Sequence, residues 1–202
     1  MGRTKLQCLG LLLMLGVSAA ALSDDKADLL AQIRASAGQY SEFKTLLNSP
    51  DQSIRVAAFD GMVSSGDSSL RDIAIDEALS NDDATMRALA LREAIFGLSG
   101  LNFSMTLPDA PSEETKKQVK KWGAAYKLTF RTKDKASSSF SGRATDATSG
   151  DYMHGNVSGL ELVFNSRYCS GKATLMEGTV LQGTISCPKY ITEPTVIFAK
   201  IR

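Results

Sequence analysis

The chain has 202 residues, of which 43% are hydrophobic and 22% are charged, and its formal net charge is +1. This near-neutral total hides an asymmetry, because residues 24–100 carry 13 acidic and 7 basic side chains whereas residues 101–202 carry 9 and 14. The division predicts two domains of opposite charge whose faces can attract each other. Beyond the N-terminal segment no apolar run is long enough to cross a membrane, so a spanning helix is not expected.

The N-terminal segment has the layout of a secretory signal. Arg3 and Lys5 form a short basic region, residues 6–17 are apolar, and residues 18–21 are small enough for a signal peptidase. The apolar run is shorter than the roughly 20 residues of a spanning helix. We therefore predict a signal peptide over residues 1–21, cleaved after Ala21, and a soluble protein that is periplasmic or secreted.

The acidic part of the mature chain has helical periodicity. Apolar residues recur at spacings of three and four, and Asp, Pro or Ser-Gly groups mark the ends of each stretch. The pattern predicts a helical domain over residues 22–100, with helices near residues 24–36, 42–47, 53–63, 70–79 and 83–97.

Two of these helices are related by an internal repeat. Residues 49–63 return in altered form at residues 81–95, thirty-two positions later. A fixed period of this size is typical of stacked helical repeats, in which each unit covers its neighbour's apolar face. Both copies carry an aspartate at the helix start and an arginine four residues later: Asp51 with Arg55, and Asp83 with Arg87. Because these residues recur at equivalent positions, we expect them to be structural, with each arginine one turn from its aspartate.

The repeat resembles the HEAT-repeat family, in which a polar turn with Pro or Asp precedes an apolar residue, an Arg and a helix rich in small residues. The matching positions are Pro50, Asp51, Ile54, Arg55, Ala57, Ala58, Asp83, Met86, Arg87, Ala88 and Ala90. The resemblance covers residues 40–97 at most, with two copies and a period shorter than the usual ~40. It implies a curved helical scaffold that binds proteins and carries no chemistry, or a short array that only caps the next domain.

Residues 101–123 are predicted to form a linker and a short helix. Pro108 and Pro111 interrupt regular structure, and Ser112 is a helix cap followed by acidic residues. Four lysines follow toward the end of the helix, at positions 116, 117, 120 and 121, where the helix dipole favours cations. They could form a surface for anions or a well-charged connector. No aromatic residue lies among them to stack a base, so a nucleic-acid partner is not expected.

Residues 124–202 alternate between apolar and polar side chains with a period of two, which predicts six or seven short antiparallel strands. Ser, Gly, Asp and Asn clusters separate the alternating runs, and no helices are available to connect parallel strands. The fold class predicted for the whole chain is therefore α+β with two domains, a short helical repeat array followed by a small antiparallel β-sandwich or open barrel.

Two cysteines, Cys169 and Cys187, remain after removal of the signal peptide, and an even pair in an exported protein predicts a disulfide. The residues between them form two alternating runs joined at Glu177 and Gly178. If residue 176 faces residue 180, the same register sets the two cysteines directly opposite each other, with a glycine at the turn. Closing a loop of this length should stabilise the fold by about 3 kcal/mol.

Motifs for catalysis are sparse. His154 is the one histidine, and the chain has no Gly-x-Ser-x-Gly, His-Glu-x-x-His, phosphate loop or Cys-x-x-Cys. We expect no cofactor, no metal and no enzymatic activity. A hydrolase with an unusual site around Asp151 and His154 is the enzymatic alternative.

The sequence therefore favours an exported, non-catalytic binding protein of the bacterial periplasm, acting on another periplasmic or extracellular protein as an inhibitor or scaffold. The alternative is a β domain that binds a small ligand or glycan on aromatic side chains. The candidates for such a surface are Trp122, Tyr126, Tyr152 and Tyr168. The competing interpretation of these aromatics is that they belong to the core.

Overall fold

The computed structural model describes residues 21–146 and 153–202, with side chains from residue 26 onward. Most of the predicted signal peptide and the candidates Asp151 and Tyr152 lie outside these ranges. Within them the chain forms five helices, which are α1 (Ala21–Leu47), α2 (Gln52–Ser64), α3 (Ser68–Leu79), α4 (Ala84–Gly97) and α5 (Glu113–Lys121). It also forms eight strands, which are β1 (Gly100–Thr106), β2 (Ala125–Asp134), β3 (Ser139–Ala144), β4 (Met153–Ser158), β5 (Glu161–Asn165), β6 (Ser170–Leu175), β7 (Val180–Ser186) and β8 (Thr195–Lys200).

Helix α1 is continuous where the sequence predicted two shorter helices. The expected break near Gly38 is absent because a single glycine costs a helix only about 1 kcal/mol relative to alanine. Residues 21–42 belong to one compact unit and residues 43–202 to another. In the first unit Leu29, Leu30 and Ile33 are each about half exposed. None of the helices in the described ranges has the length and apolar character that crossing a membrane requires.

Helices α2, α3 and α4 each begin at an aspartate. Asp51, Asp67 and Asp83 all have extended backbones, and each accepts a hydrogen bond from an amide in the first turn of its helix. The helices pack through small and apolar side chains that are almost fully buried: Phe59, Met62, Ala74, Ile75, Ala78, Met86, Ala90 and Leu91. The positions of α2 and α4 agree with the two sequence copies, whereas the HEAT resemblance remains a prediction.

The β-strands form a closed antiparallel barrel in the order β1 to β8. Closure depends on β1, which pairs with β2 through Leu101 and Leu128 and with β8 through Ser104 and Phe198. The sequence analysis assigned this segment to the linker, although Leu101, Phe103 and Met105 alternate with polar residues as in the other strands. With β1 in place, both edges of the sheet are paired, so the β region is a closed barrel rather than a sandwich or an open barrel.

Aromatic rings occupy the interior of the barrel. The ring of Phe164 stacks on Phe103 and on Tyr126, with centroids 5.7 Å apart in each pair. A glycine in the neighbouring strand leaves room for the ring of Phe164, because a Cβ on Gly171 would lie 2.1 Å from that ring. A Cβ on Gly155 would lie 2.5 Å from the Phe140 ring. An eight-stranded barrel is just wide enough for its own side chains, and here they take that space.

The barrel has two ends with different neighbours. The helix end, formed by residues 98–100, 133–138, 175–180 and 200–202, contacts α3 and α4. The α5 end, formed by residues 106–125, 144–146, 166–170 and 186–195, contacts α5. Helices α2–α4 and the barrel lie in one compact unit and share a continuous buried core. The domain boundaries at residues 100 and 123 stay predictions.

Candidate functional site

A row of aromatic side chains crosses the α5 end of the barrel. Trp122 is the C-cap residue of α5. Its ring meets the rings of Tyr126 and Tyr190 edge to face, with centroids 5.7 and 5.5 Å away, respectively. Tyr190 in turn contacts Tyr168 edge to face at 5.5 Å. We call Trp122, Tyr190 and Tyr168 the aromatic row; all three are half-buried, whereas Tyr126 beneath them is fully buried. Edge-to-face contacts of this kind fix the orientation of each ring relative to the next.

A buried polar network supports the aromatic row from below. Asp146 is 4% exposed and accepts hydrogen bonds from the Tyr126 hydroxyl at 2.5 Å, from Ser166 Oγ at 2.8 Å and from the Tyr168 amide at 3.0 Å. Burial raises the pKa of Tyr126 far above 10.0, and the bond to Asp146 raises it further. The tyrosine therefore stays protonated and donates to the carboxylate. Because the Tyr168 amide is one of the donors, Asp146 also fixes the backbone of the aromatic row.

The disulfide joins the two segments that carry the tyrosines of the row. Cys169 and Cys187 are bonded, which confirms the prediction. The register is also confirmed, since Ser170 pairs with Ser186 and Leu175 with Leu181 around a turn in which Gly178 has φ 73°. Only glycine adopts that backbone without strain.

Past Cys187 the chain turns tightly. The amides of Tyr190 and Ile191 both donate to the Cys187 carbonyl, at 2.7 and 2.9 Å. The disulfide thus sets the position of the residues that immediately follow it.

Two cations lie on the outer side of the aromatic row. Lys189 Nζ is 3.8 Å from the centroid of the Tyr168 ring, and the Arg167 guanidinium carbon is 5.1 Å from it. Attraction between a cation and the face of an aromatic ring holds the ammonium in place but does not neutralise its charge. The row therefore presents positive charge on a fixed aromatic base.

Helix α5 is anchored at this end through its first turn. Glu193 accepts hydrogen bonds from Thr115 Oγ1 at 2.5 Å and from Ser112 Oγ at 3.2 Å. The bond from Thr115 is the main cause that holds the pKa of Glu193 below its usual value, and the bond from Ser112 contributes in the same direction. Thr115, Gln118 and Val119 face the barrel, so the intervening lysines face solvent.

The structure brings together three of the four aromatic candidates. Trp122 and Tyr168 belong to the aromatic row, and Tyr126 is part of the core below it, with no exposed surface. Tyr152 lies outside the described residues. Sequence analysis missed Tyr190, whose position three residues after Cys187 places it opposite Tyr168, one residue before Cys169. The disulfide was the signal that could have identified it.

His154 lies elsewhere, on the outer wall of the barrel. It is exposed on β4 between Ser141 of β3 and Asn165 of β5. It lines a hollow whose other residues include Thr132, Asp134, Ser139, Phe140 and Asn156. Asp151, its partner in the hydrolase hypothesis, is outside the described residues.

The repeat residues make contacts that differ between the two copies. Arg55 forms an ion pair with Asp83 of the second copy and donates to the carbonyl of Ser49 at 2.7 Å. Arg87 donates to the carbonyls of Leu175 and Met176, at 3.3 and 2.5 Å. The first arginine therefore joins one repeat to the next, and the second joins the last repeat to the β6–β7 hairpin.

Over residues 21–146 and 153–202, no group of three or more His, Cys, Asp or Glu side chains is placed to hold a metal ion. No family model, curated protein or solved structure matches the chain. The chemistry of the α5 end is therefore the basis on which a function is inferred.

Proposed function

We propose that the protein is an exported, non-catalytic binding protein of the bacterial periplasm that engages another protein through the α5 end of its barrel. The observation that carries the proposal is the aromatic row with Lys189 over it. Tyrosine, tryptophan and arginine are the residues that most often dominate binding energy at protein interfaces.

Rigidity supports this assignment. The disulfide, the Asp146 network and the turn after Cys187 hold the residues of the row from three directions. Side chains that are already ordered lose little conformational entropy when a partner binds, so more of the contact energy appears as affinity.

The interior of the barrel favours a partner on the outside. Phe103, Phe164 and Tyr126 stack in the space where small barrels hold a ligand. A ligand would have to displace these rings, whereas a protein can contact the rim without rearrangement. The helices at the opposite end suit a role as a structural cap.

The hollow around His154 supports a second candidate, a glycan-binding surface on the wall. Its hydroxyl and amide groups, from Ser139, Ser141, Asn156 and Asn165, can donate to and accept from sugar hydroxyls. A hydrolase using His154 with Asp151 is the enzymatic form of the same candidate. A glycan array and an activity screen with His154→Ala as the control test both.

The main proposal is tested by crosslinking capture from a periplasmic extract of the native host. We expect the wild type to capture a defined protein, Tyr168→Ala to lose it, and Thr174→Ala on the wall to retain it. Capture by all three proteins, or by none, would contradict binding through the aromatic row. If the captured protein is an enzyme, its activity with and without this chain separates an inhibitor from a scaffold.

A further inference from the structure

We propose that the α5 end recognises an acidic, carboxylate-rich segment of its protein partner, with Lys117, Lys120, Lys121 and Lys189 as the cations that contact it. This inference rests on the proposed function and specifies the chemistry of the partner.

Two of the four lysines directly precede residues of the aromatic row. Lys121 directly precedes Trp122, whose ring is 5.5 Å from that of Tyr190, and Lys189 directly precedes Tyr190. The last turn of α5 and the turn after the disulfide are therefore neighbours. Lys117 and Lys120 are exposed on the same helix, whose buried side is formed by Gln118 and Val119.

Three of the acidic groups at this end, Asp146, Glu193 and Glu113, have donors within the chain, whereas Asp109 and Glu114 are exposed before and in the first turn of α5, away from its last turn. Asp146 is buried and bound to Tyr126, Ser166 and the Tyr168 amide. Glu193 accepts from Thr115 and Ser112, and Glu113 pairs with Lys116 at 2.6 Å. In the described parts of the chain, the ion pairs involve none of the four lysines of the proposal.

At the helix end, cations pair with acidic side chains of the same chain. There Lys135 pairs with buried Glu93 at 2.7 Å, and Arg202 pairs with Asp76 at 2.5 Å and with Asp72 at 3.0 Å. Cations at that end neutralise acids of α3 and α4 within the same chain. At the α5 end Lys116 pairs with Glu113, whereas Lys117, Lys120, Lys121 and Lys189 are in none of the ion pairs of the described residues.

The chemistry of the row favours protein carboxylates over other anions. Single-stranded nucleic acid needs ring faces open for base stacking, but Trp122 and Tyr168 meet Tyr190 edge to face, and Lys189 covers a face of Tyr168. An anionic membrane needs apolar side chains that insert beside the lysines, whereas these rings are half-buried and packed on one another. The ammonium group that Lys189 holds over the Tyr168 ring, together with the exposed lysines of α5, matches the carboxylates and amides of an acidic protein loop.

The test uses the mature full-length protein and a synthetic poly-glutamate peptide as the probe, measured by isothermal titration calorimetry. We expect binding that weakens as salt is raised, because the contacts are exposed ion pairs. Lys121→Glu with Lys189→Glu should lower the affinity at least about tenfold. The matched control is Lys172→Glu with Lys200→Glu, which changes the net charge equally at exposed strand residues away from the α5 end and should leave the affinity within about twofold.

Equal weakening by both double variants would overturn the inference, since it would show general charge attraction. So would failure of the wild type to bind the peptide, including the case in which it binds phosphatidylglycerol vesicles instead. If substitution of Lys189 disturbs the fold by circular dichroism, Lys117→Glu with Lys120→Glu on the exposed side of α5 carries the same expectation. Should Lys121→Glu with Lys189→Glu still capture the periplasmic partner while Tyr168→Ala does not, the proposed function stands and the acidic-partner inference fails.

Discussion

The two ends of the barrel are closed by different means. At the helix end, α3 and α4 meet the strands through ion pairs and through arginine and lysine bonds to backbone carbonyls. At the α5 end, a disulfide, a buried carboxylate network and a row of aromatic rings perform the same task. Closure by the disulfide and the rings leaves Lys117, Lys120, Lys121 and Lys189 outside the ion pairs of the described residues. Closure by ion pairs neutralises the charges that it uses.

The largest effect is expected from removing the disulfide at the α5 end. Replacing Cys169 and Cys187 together with serine should lower the free energy of unfolding by about 3 kcal/mol, because the unfolded chain regains the entropy of an open loop. Urea unfolding at neutral pH measures this loss. A loss no larger than that of a surface substitution would show that the Asp146 network and the rings hold this end without the disulfide.

Asp146→Ala should have the next largest effect, about 2 kcal/mol of unfolding free energy, because it removes the acceptor shared by the Tyr126 hydroxyl, Ser166 Oγ and the Tyr168 amide. Tyr126→Phe removes one donor and keeps the ring, so we expect it to cost about 1 kcal/mol. Thermal unfolding of both variants measures the comparison. Equal losses would show that the bond from Tyr126 accounts for the whole contribution of the Asp146 network.

At the helix end, Arg87→Ala should cost about 1 kcal/mol, since it removes the bonds that tie the last helical repeat to the β6–β7 hairpin. Hydrogen exchange should show increased opening of the hairpin at Met176 in this variant. Lys172→Ala, which breaks an exposed wall pair with Glu161, is the control and should leave that exchange unchanged. Increased exchange confined to α2 would contradict the assigned contact.

A smaller, pH-dependent effect is expected where the two repeats meet. The hydrogen bond from Arg55, followed by that from the Thr85 amide, lowers the pKa of Asp83 below 3.8. A carboxyl whose folded-state pKa is depressed stabilises the fold above its unfolded pKa, and this contribution disappears as the pH falls through the lowered value. Between about pH 5 and about pH 3 the melting temperature of the wild type should therefore fall more steeply than that of Arg55→Ala. Parallel curves would show that Asp83 is not coupled to Arg55.

The smallest effect is expected from His154→Ala. The side chain is exposed on the wall, so the unfolding free energy should change by less than about 0.5 kcal/mol. The variant should also complement a deletion strain fully, because the proposed binding surface lies at the α5 end. Loss of complementation with unchanged stability would favour the hydrolase alternative.

Local signals predicted much of the fold. Aspartates at the helix starts, an alternating pattern in the strands and a glycine at position 178 marked elements that the structure contains. The hairpin register followed from the turn alone, because strands joined by a short turn have little freedom to slip. Strand β1 was not predicted. It follows the helical region directly and is separated from β2 by α5, so its alternating residues were interpreted as part of a linker.

The candidate site was less predictable. Trp122 and Tyr168 were named as aromatics that could share a surface, but their contact with Tyr190 depends on how α5 packs on the barrel. The sequence did not predict the partners of Arg55 and Arg87 either. Arg55 was placed with Asp51 by sequence spacing, whereas its ion pair is with Asp83, 28 residues away.

The sequence by itself determined the helices, most of the strands, the cysteine pair and the charge asymmetry, since each depends on neighbouring residues or on composition. The tertiary structure alone shows that the sheet closes into a barrel, that aromatic rings fill its interior and that Trp122 at the end of α5 contacts Tyr190. These features join residues far apart in the chain. Their free energy comes from shape, burial and charge at contacts that no local pattern encodes.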